Sequence, residues 1–470
     1  MSEVVVLGAG PAGLAAALEL AKQGVDVVLV EKESRVGGNS GSFEYGGMQV
    51  DHGSHRLHPA ADERVLKEIK ELIGEDLLTR PRHGRINLLG RWIHFPLRPL
   101  DLIFRGSPKF SLGVAVDLLK KLLPEKQESS ETSFATVLSA GLGSTICKHF
   151  YFPYANKIWG VDPYQLSAIQ AHKRVSSGTI GRMIKRLLPW NKATGGANTK
   201  GIFYYPRHGY GQLANAYHKA AVDCGVNVLL DATVRSISLT NQKPTLDIEH
   251  RGKQLTLSPD QVFSTIPVTT LTRLITTTPE QILNATKKLE FRSMILFYVH
   301  LNCKRFTEFD AHYFPEKDVI FTRFSEPKNY SDLREPANTT VLCVEIPCFY
   351  QDRIWSQSND ELLKLVTSNL ARIGLPVHCE ILQSQALKIK YAYPLYRTGY
   401  EMHFNSIDDW LSKQPGLLTF GRQGLYAHDN THHAIFMALK AAECLNTEGQ
   451  IDTEKWQSAR KIFETHVVED

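Results

Sequence analysis

The sequence predicts an α/β fold in which a Rossmann-type dinucleotide-binding domain is interleaved with a smaller domain of mixed sheet and helices. Three observations predict it: a glycine-rich turn between a buried strand and a helix near the N-terminus, a second strand, glycine turn and helix near the C-terminus, and two stretches between them without dinucleotide-binding motifs. We assign residues 1–80, 201–290 and 401–470 to the first domain, and residues 81–200 and 291–400 to the second.

The N-terminal stretch forms a complete strand–helix–strand unit. VVVLGAG is typical of a buried strand that enters a tight turn, and Pro11 stands where a helix can begin because its missing N–H has no helical partner there. The alanine- and leucine-rich segment that follows ends near Gly24, and VDVVLVEK is the next strand. The spacing of Gly8, Gly10 and Gly13 is G-x-G-x-x-G, so the unit predicts a dinucleotide site.

Each of these glycines has a physical reason. The first permits the turn, the second lets a pyrophosphate approach the backbone, and the third lets the helix and strand pack closely. The first turn of the helix offers free N–H groups to the phosphates. Glu31 ends the second strand, where a carboxylate accepts hydrogen bonds from a ribose diol. A glycine-rich turn in another kind of α/β sheet is the alternative explanation.

Composition excludes several classes of protein. The 470 residues are 43% hydrophobic and 22% charged with a net charge of +5, which argues against disorder, coiled coils and nucleic-acid binding. The seven cysteines are scattered and form no C-x-x-C pair, so we expect reduced thiols in a cytoplasmic protein. We expect no secretion signal and no spanning helix.

The segment after Glu31 distinguishes between cofactors. EKESRVGGNSGSFEYGGMQVDHGSHRLH contains a predicted hairpin and a loop rich in glycine and histidine, where a domain for NAD would continue with another strand and helix. This stretch resembles the opening of the flavin amine-oxidase superfamily, in the branch of protoporphyrinogen-oxidase-like and UDP-galactopyranose-mutase-like proteins. The resemblance implies bound FAD, with Arg35 and Gly37–Asn39 near the pyrophosphate and the loop Gly53–Arg56 near the flavin ring.

The C-terminal stretch GLLTFGRQGLYAHDNTHHAIFMALKAAECL carries a second match. It predicts a short strand, a turn between Gly421 and Gly424, and a helix that Asn430 or Thr431 caps. It resembles the superfamily's C-terminal flavin motif, in which a positive helix end stabilises negative charge on the reduced ring. A helix that serves stability alone is the alternative.

A third match, FYYPRHGYGQLANAYHKAAVDCGVNVLLDATVRSISL, places the backbone of Val234 against the adenine. Together, the motif and the resemblance imply the following contacts with FAD: Gly8, Gly10, Pro11, Ala12, Gly13, Glu31, Lys32, Arg35, Gly37, Gly38, Asn39, Gly53, His55, Val234, Gly421, Arg422, Leu425, Asn430 and Ala434. We expect no metal, since a flavin loop accounts for His52, His55 and His58.

The resemblance implies an oxidoreductase that abstracts hydride from a carbon centre of a small molecule, with a hydrophobic substrate among the options. His55 and Arg56 are the expected catalytic groups near the flavin, and Tyr393, Tyr396 and Arg397 are expected to orient the substrate. A plain half-buried strand is the alternative for this tyrosine-rich segment.

Two other functions stay open. One is a non-redox mutase that acts on a nucleotide sugar, with Arg174, Arg292 and Arg397 as candidate grips for the diphosphate. The other is a flavin-binding protein without turnover.

The amphipathic segment FSLGVAVDLLKKLL predicts a helix that packs on the core or, alternatively, touches a membrane as a peripheral contact. The substrate, the electron acceptor, the attachment of the flavin and the oligomeric state are not encoded in any motif.

Overall fold

A computed structural model describes residues 2–95, 107–122, 132–174, 201–239 and 243–468 of the chain. Its first layer is a five-stranded parallel sheet, called here the nucleotide sheet. The strands, in spatial order, are Leu417–Thr419, Gln261–Ser264, Glu3–Leu7, Asp26–Val30 and Asn227–Leu229. The N-terminal strand is central because valine and leucine side chains bury both of its faces, as Val4, Val5 and Val6 do without any exposure.

Helices cover one face of the nucleotide sheet. Helix Pro11–Lys22 packs against helices Gln212–Asp223 and Thr431–Glu443, which come from distant parts of the chain. The alanines on helix Pro11–Lys22 allow this close packing because they bury little side-chain volume between the backbones. Helices Glu63–Ile73 and Thr453–Glu464 complete this layer.

The other face carries a three-stranded antiparallel sheet and three helices. The strands are Ala232–Ser238, Thr245–His250 and Lys253–Leu257, and the helices are Val268–Leu274, Glu280–Thr286 and Tyr400–Leu411. Their apolar side chains form a second core with the strands of the nucleotide sheet. The chain therefore has helices on one face of a parallel sheet and a second sheet with helices on the other, and the predicted α/β fold class is confirmed.

A seven-stranded sheet, called here the long sheet, forms the other part of the molecule. In spatial order its strands are Ile381–Leu395, Glu290–Leu301, Thr340–Cys348, Arg323–Ser325, Ala311–Tyr313, Gly84–Leu88 and Arg91–Phe95. Neighbours are antiparallel except for Gly84–Leu88 and Ala311–Tyr313. Helix Asn359–Arg372 covers one of its faces, and the second face meets the hairpin that follows the first flavin segment.

The sequence predicts one hairpin after Glu31 and another within RHGRINLLGRWIHFPLRPLDLIF, and both are present. Ser42–Tyr45 pairs with Met48–Asp51, and Gly84–Leu88 pairs with Arg91–Phe95. A small antiparallel pair, Leu77–Pro81 with Ile202–Pro206, joins two ranges of the first predicted domain, with only Pro81 beyond its boundary. The two large sheets draw on the two sets of ranges that we assigned, although the exact domain boundaries stay a prediction.

A group of helices lies beside the long sheet. Helices Phe134–Leu142, Phe152–Trp159 and Ala168–Arg174 share one apolar core. The short helix Ser144–Ile146 and the π-turn Cys147–Tyr151 connect the first two. Gly160 ends the second helix in a left-handed conformation, with φ of 70°, which favours glycine.

The amphipathic segment forms helix Pro108–Leu122, as predicted. Phe110 and Val114 are buried in a core shared with the hairpin Gly84–Phe95, while Leu112 and Leu119 are 67% and 63% exposed. Packing on the core and contact with a membrane therefore both stay possible roles for this helix, since one stripe of its side chains is buried and another is exposed. Among the described residues, no helix is long and apolar enough to cross a membrane.

The two stripes of this helix should respond differently to mutation. Phe110→Ala is expected to lower the free energy of unfolding by about 3–5 kcal/mol, because it leaves a cavity in a packed core. Leu119→Ser should change it by less than about 0.5 kcal/mol, because the side chain already faces solvent. Chemical denaturation of both variants checks the contrast, and equal losses would contradict the placement of the helix.

Candidate active site

The glycine-rich turn has the shape that the sequence predicts. Gly8 has φ of +97°, and a side chain at Gly13 would begin 1.8 Å from the carbonyl oxygen of Gly8. Both positions therefore require glycine, one for its conformation and the other for close packing. A side chain at Gly10 would meet nothing within 4 Å, so the backbone there borders open space. That is the position at which a pyrophosphate would approach.

Glu31 shapes this turn with its carboxylate. One oxygen accepts the N–H of Ala9 at 2.7 Å, and the other accepts the N–H of Glu33 at 3.0 Å. Burial raises the pKa of Glu31 from its ordinary value. The main-chain oxygen of Glu31 accepts the N–H of Ala232 at 2.9 Å, so the strand that carries Val234 starts beside the predicted ribose site. Lys32 is exposed and pairs with Glu33.

The loop after the second strand folds back on the turn. The N–H of Gly37 donates to the oxygen of Ala9 at 2.8 Å, and a side chain at Gly38 would lie 3.4 Å from the Cα of Gly10. The hydroxyls of Ser40 and Thr431 lie 3.3 Å apart, which joins this loop to the start of helix Thr431–Glu443. Arg35 lies over the ring of Phe43 at 5.8 Å.

The C-terminal turn closes the same cradle. Gly421 has φ of +78°, and a side chain there would begin 3.0 Å from the Cβ of Ala12. Leu425 and Ala434 are buried behind it, and Asn430 precedes the helix and donates its N–H to Nδ1 of His433 at 3.2 Å. The structure therefore brings the two ends of the chain together at the carboxyl edge of the nucleotide sheet, as predicted.

The loop Gly53–Arg56 connects the cradle to the long sheet. Gly53 takes φ of +93°. Nε2 of His55 lies 2.9 Å from the oxygen of Asn39 and 3.0 Å from that of His52, and its ring stacks on Tyr210 at 5.0 Å. Burial lowers the pKa of His55 to about 4, so the ring is neutral near pH 7. A neutral ring whose Nε2 contacts two main-chain oxygens orients this loop.

Arg56 is held in a buried polar network. Its guanidinium lies 3.2 Å from Asp310 and donates to the hydroxyls of Tyr313 at 3.1 Å and Tyr330 at 3.2 Å. The group also lies 5.2 Å from the ring centroid of Phe203. These contacts show Arg56 as a residue that positions the flavin loop against the long sheet, whereas the sequence suggested a catalytic role.

Arg323 and Glu345 form a second buried pair that sequence reasoning missed. Arg323 donates twice to the carboxylate of Glu345, at 2.9 and 2.8 Å, and Glu345 accepts the N–H of Ser54 at 2.9 Å. A signal existed: Glu345 is the one charged residue in the apolar run TVLCVEIPC, and a lone charge in a buried strand requires a partner. The identity of that partner is set by the fold alone.

The far end of strand Ile381–Leu395 is bonded to both flavin segments. The oxygen of Tyr391 accepts from Nδ2 of Asn39 at 3.0 Å and from Nε2 of Gln423 at 2.9 Å. The oxygen of Ala392 accepts from Arg422 at 3.0 Å. The next residue, Tyr393, therefore lies where the long sheet meets the predicted flavin cradle.

Tyr393 belongs to a group called here the aromatic cluster, which is Trp159, Tyr393 and His428. The ring centroid of Trp159 lies 5.6 Å from that of Tyr393 and 4.8 Å from that of His428. Arg422 lies over Tyr393 at 4.9 Å, and Arg174 over Trp159 at 5.6 Å. The cluster combines apolar surface with two guanidinium groups.

Three predicted residues are engaged elsewhere. Tyr396 is buried, and its hydroxyl donates to the oxygen of Tyr426 at 2.8 Å. Arg397 pairs with Glu290 at 2.6 Å. Arg292 donates to the oxygens of Ile158, Lys157 and Pro347, so it holds the end of helix Phe152–Trp159. The structure thus brings Tyr396 against one member of the aromatic cluster, since its ring centroid lies 4.7 Å from that of His428. Arg397 and Arg292 are instead held by Glu290 and by main-chain oxygens.

The residues present fit a flavin nucleotide. The open space at Gly10 lies at the N-terminus of helix Pro11–Lys22, where a phosphate is favoured. Among the described residues, buried polar atoms without a hydrogen-bond partner include Nε2 of His52, Nε of Arg422 and Nε2 of His428. A polar ring system that lies between the flavin segments would supply partners for such atoms.

Comparison with known proteins supports this assignment. The family profile described as "Flavin containing amine oxidoreductase" matches residues 11–445. Protoporphyrinogen oxidase 2 of Arabidopsis thaliana, chloroplastic and mitochondrial, is 22% identical over 459 residues, which are 89% of each chain. The provisionally named flavin-containing monoamine oxidase AofH of Mycobacterium tuberculosis is 28% identical over 256 residues. That second match spans about half the length of the relative, 51%, and 50% of this chain.

Solved structures share the fold over nearly the whole chain. Reduced UDP-galactopyranose mutase superposes with a TM-score of 0.80 at 20% identity and covers 100% of both chains. Putrescine oxidase bound to putrescine superposes with a TM-score of 0.66 at 17% identity, over 94% of this chain and 98% of that one. At these identities the likeness concerns the fold.

Gly10→Val should remove FAD binding and leave the fold intact. The new side chain meets no protein atom near its Cβ but enters the space that the pyrophosphate requires. We expect at least a ten-fold lower affinity, about 1.4 kcal/mol or more. Flavin absorbance after gel filtration measures the bound cofactor, and fluorescence titration measures the affinity. The control is Gly225→Asn, which lies in a distant turn with a left-handed backbone. Unchanged flavin content in Gly10→Val would contradict the site.

His55 should make stability depend on pH. Its pKa of about 4 lies below the ordinary value of 6.5, so between these values the unfolded chain binds more protons than the folded one. The contribution of His55 to the free energy of unfolding is complete above pH 6.5. It is lost as the pH falls to 4, and the loss amounts to up to about 3 kcal/mol. The stability difference between the wild type and His55→Asn should therefore shrink over this range. Denaturation at several pH values measures it; a constant difference would contradict the buried neutral ring.

Proposed function

We propose that the chain, which belongs to the flavin-containing amine oxidoreductase family, is an FAD-dependent oxidoreductase that takes a hydride from a carbon atom of an apolar small molecule that carries negative charge. The observation that carries this proposal is the position of the aromatic cluster. Tyr393 directly follows the two residues whose oxygens are bonded to Asn39, Gln423 and Arg422. A substrate against these rings therefore lies between the long sheet and both flavin segments.

The charges around the cluster favour an acidic substrate. The guanidinium groups of Arg174 and Arg422 both act on His428, and together with burial they lower its pKa well below the ordinary range. Asp429 offsets part of this charge at Arg422. A protonated amine would meet net repulsion here, whereas a carboxylate would meet two cations in a site of low dielectric constant. Carboxylates on an apolar skeleton suit both features.

The residues divide the work of binding and orientation. FAD, when bound, supplies the acceptor for two electrons and a hydride. Trp159 and Tyr393 hold the flat apolar part of the substrate, and Arg422 orients its acidic group. His428 is neutral, with Nε2 lacking a hydrogen-bond partner, so it can accept one hydrogen bond from the substrate. The buried pairs of Arg56 and Arg323 hold the loop Gly53–Arg56 in place during these contacts.

A partly reduced tetrapyrrole with carboxylate side chains is the first substrate to test. Protoporphyrinogen oxidases are among the relatives that align over most of the chain, and such a substrate is apolar and acidic. The experiment mixes the purified flavoprotein with protoporphyrinogen without oxygen and follows bleaching of the flavin band. Putrescine, a dication, is the matched comparison. Faster bleaching by putrescine would overturn the proposed charge preference.

The structural similarity to UDP-galactopyranose mutase leaves a non-redox mutase as the alternative function. A mutase of that kind needs cationic grips for a diphosphate, and two of the three candidates are already engaged: Arg292 with main-chain oxygens and Arg397 with Glu290. Conversion of a nucleotide sugar that depends on prior reduction with dithionite would favour the mutase. Flavin binding without turnover in either assay would favour a non-catalytic protein.

Tyr393→Ala should lower kcat/KM for the substrate at least ten-fold, about 1.4 kcal/mol, because a ring of the aromatic cluster is lost. Flavin content should stay at the wild-type level, since Tyr391 and Ala392 bond to the flavin segments through main-chain oxygens. Tyr350→Ala, whose side chain is 48% exposed at another point of the surface, is the control. Equal activity in Tyr393→Ala and the control would contradict the substrate position.

A further inference from the structure

Three segments that are distant in sequence meet at one buried carboxylate. Asp429 ends the C-terminal flavin loop, His433 lies in the first turn of helix Thr431–Glu443, and His466 follows helix Thr453–Glu464. Each offers one ligand atom, and these atoms all lie within 4.8 Å of one another. We call these three residues the Asp429 cluster. They do not overlap with His52, His55 and His58, the histidines that the sequence brought forward and assigned to the flavin loop.

The carboxylate of Asp429 has no hydrogen-bond partner among the described residues. Its side chain is fully buried, and both of its oxygens lack a donor. Nδ1 of His466 is likewise buried and without a partner. The guanidinium of Arg422 acts on this carboxylate only through space. A buried carboxylate without a hydrogen-bond donor favours a directly bound cation.

The nearest lysine does not supply that cation directly. The ammonium of Lys173 donates to the main-chain oxygens of Phe463 and Glu464, both at 3.0 Å. It acts on Asp429 only through space. The N–H of Val468 donates to the oxygen of Lys173, so the segment that carries His466 is held against helix Ala168–Arg174. The position of His466 beside Asp429 is therefore fixed by contacts that do not involve the carboxylate.

Two distances in the cluster match those between ligands of one small metal ion. Oδ1 of Asp429 lies 3.5 Å from Nδ1 of His433 and 3.5 Å from Nδ1 of His466. Ligands about 2.1 Å from a tetrahedral ion are about 3.4 Å apart. The two imidazole rings stack at 4.3 Å with 12° between their planes, so one ring must turn for both to point at the same ion. His466 can turn without breaking a hydrogen bond at Nδ1, whereas Nδ1 of His433 would exchange the N–H of Asn430 for the ion.

We propose that Asp429, His433 and His466 bind one divalent first-row transition metal ion of the zinc class. Two imidazoles and one carboxylate are a donor set that suits zinc, whereas magnesium and calcium prefer oxygen ligands alone. The ion would compensate the buried carboxylate. It would also tie the C-terminal flavin loop, the helix that follows it and the segment after the last helix to one point. This site is separate from the proposed catalytic chemistry and does not depend on it.

The test measures zinc binding to the flavoprotein after dialysis against a chelator. Competition with a chromophoric chelator gives the affinity, and elemental analysis gives the number of ions per chain. We expect one zinc ion per chain, no comparable binding of magnesium, and a rise in the thermal midpoint with zinc concentration. The flavin absorbance serves as a separate readout of folding and cofactor content.

His466→Ala is the informative variant because its ring is only partly buried and lies outside the flavin motif. It should bind zinc at least ten-fold more weakly and lose the thermal shift, with unchanged flavin content. Asp429→Asn, which keeps the side-chain shape, should have the same effect on zinc. His378→Ala removes an exposed histidine from another surface and should behave as wild type. Absence of stoichiometric zinc in the wild type, or equal affinity in His466→Ala and His378→Ala, would overturn the proposal.

Discussion

The contact between Gly13 and the oxygen of Gly8 is the constraint on which the rest of the structure depends. A side chain at Gly13 would begin 1.8 Å from that oxygen, so only glycine lets helix Pro11–Lys22 lie this close to the central strand. The same approach leaves Gly10 beside open space and gives Gly421 its contact with Ala12. The close contact between these two backbone segments therefore fixes the N-terminal side of the predicted flavin site. It also allows the C-terminal turn to complete the site from the other side.

Buried polar groups attach the long sheet to this cradle, beside the apolar contact between the sheet and the hairpin Ser42–Asp51. Main-chain oxygens of Tyr391 and Ala392 receive side chains from both flavin segments, while Arg56 and Glu345 hold the loop after the hairpin from the other direction. Such buried pairs add little net stability over apolar packing, but they specify one geometry, because each charge is costly if its partner is misplaced. This is the arrangement that a redox site needs, since hydride transfer depends on a fixed distance between substrate and cofactor.

The sequence predicted the parts whose chemistry is local. The turn Gly8–Gly13, the strand that ends at Glu31, both hairpins and the cap before Thr431 follow from the residues that form them, and the structure has each of them. The partners of Arg56, Arg323 and Arg397 could not be predicted, since Asp310, Glu345 and Glu290 lie far away in sequence and nothing local selects among the acidic residues. Tyrosines at 391, 393 and 396 looked equivalent in sequence. A turn after Leu395 sends Tyr396 into the core while Tyr393 stays with Trp159.

Charge, more than shape, separates the functions that this fold can serve. The mutase and the putrescine oxidase share its backbone, so the backbone cannot decide between them. The side chains around the substrate decide which function is possible, because an amine oxidase must accept a cation and a mutase must bind a diphosphate. In this chain Arg174 and Arg422 flank the aromatic rings of the cluster. Arg292 is bonded to the backbone instead. Two cationic side chains beside aromatic rings are too few to bind a pyrophosphate that carries a sugar at each end. Their positive charge also repels a protonated amine. They suit an apolar molecule with acidic groups at its edge, which is the substrate class that we propose and that no superposition of the backbone could select.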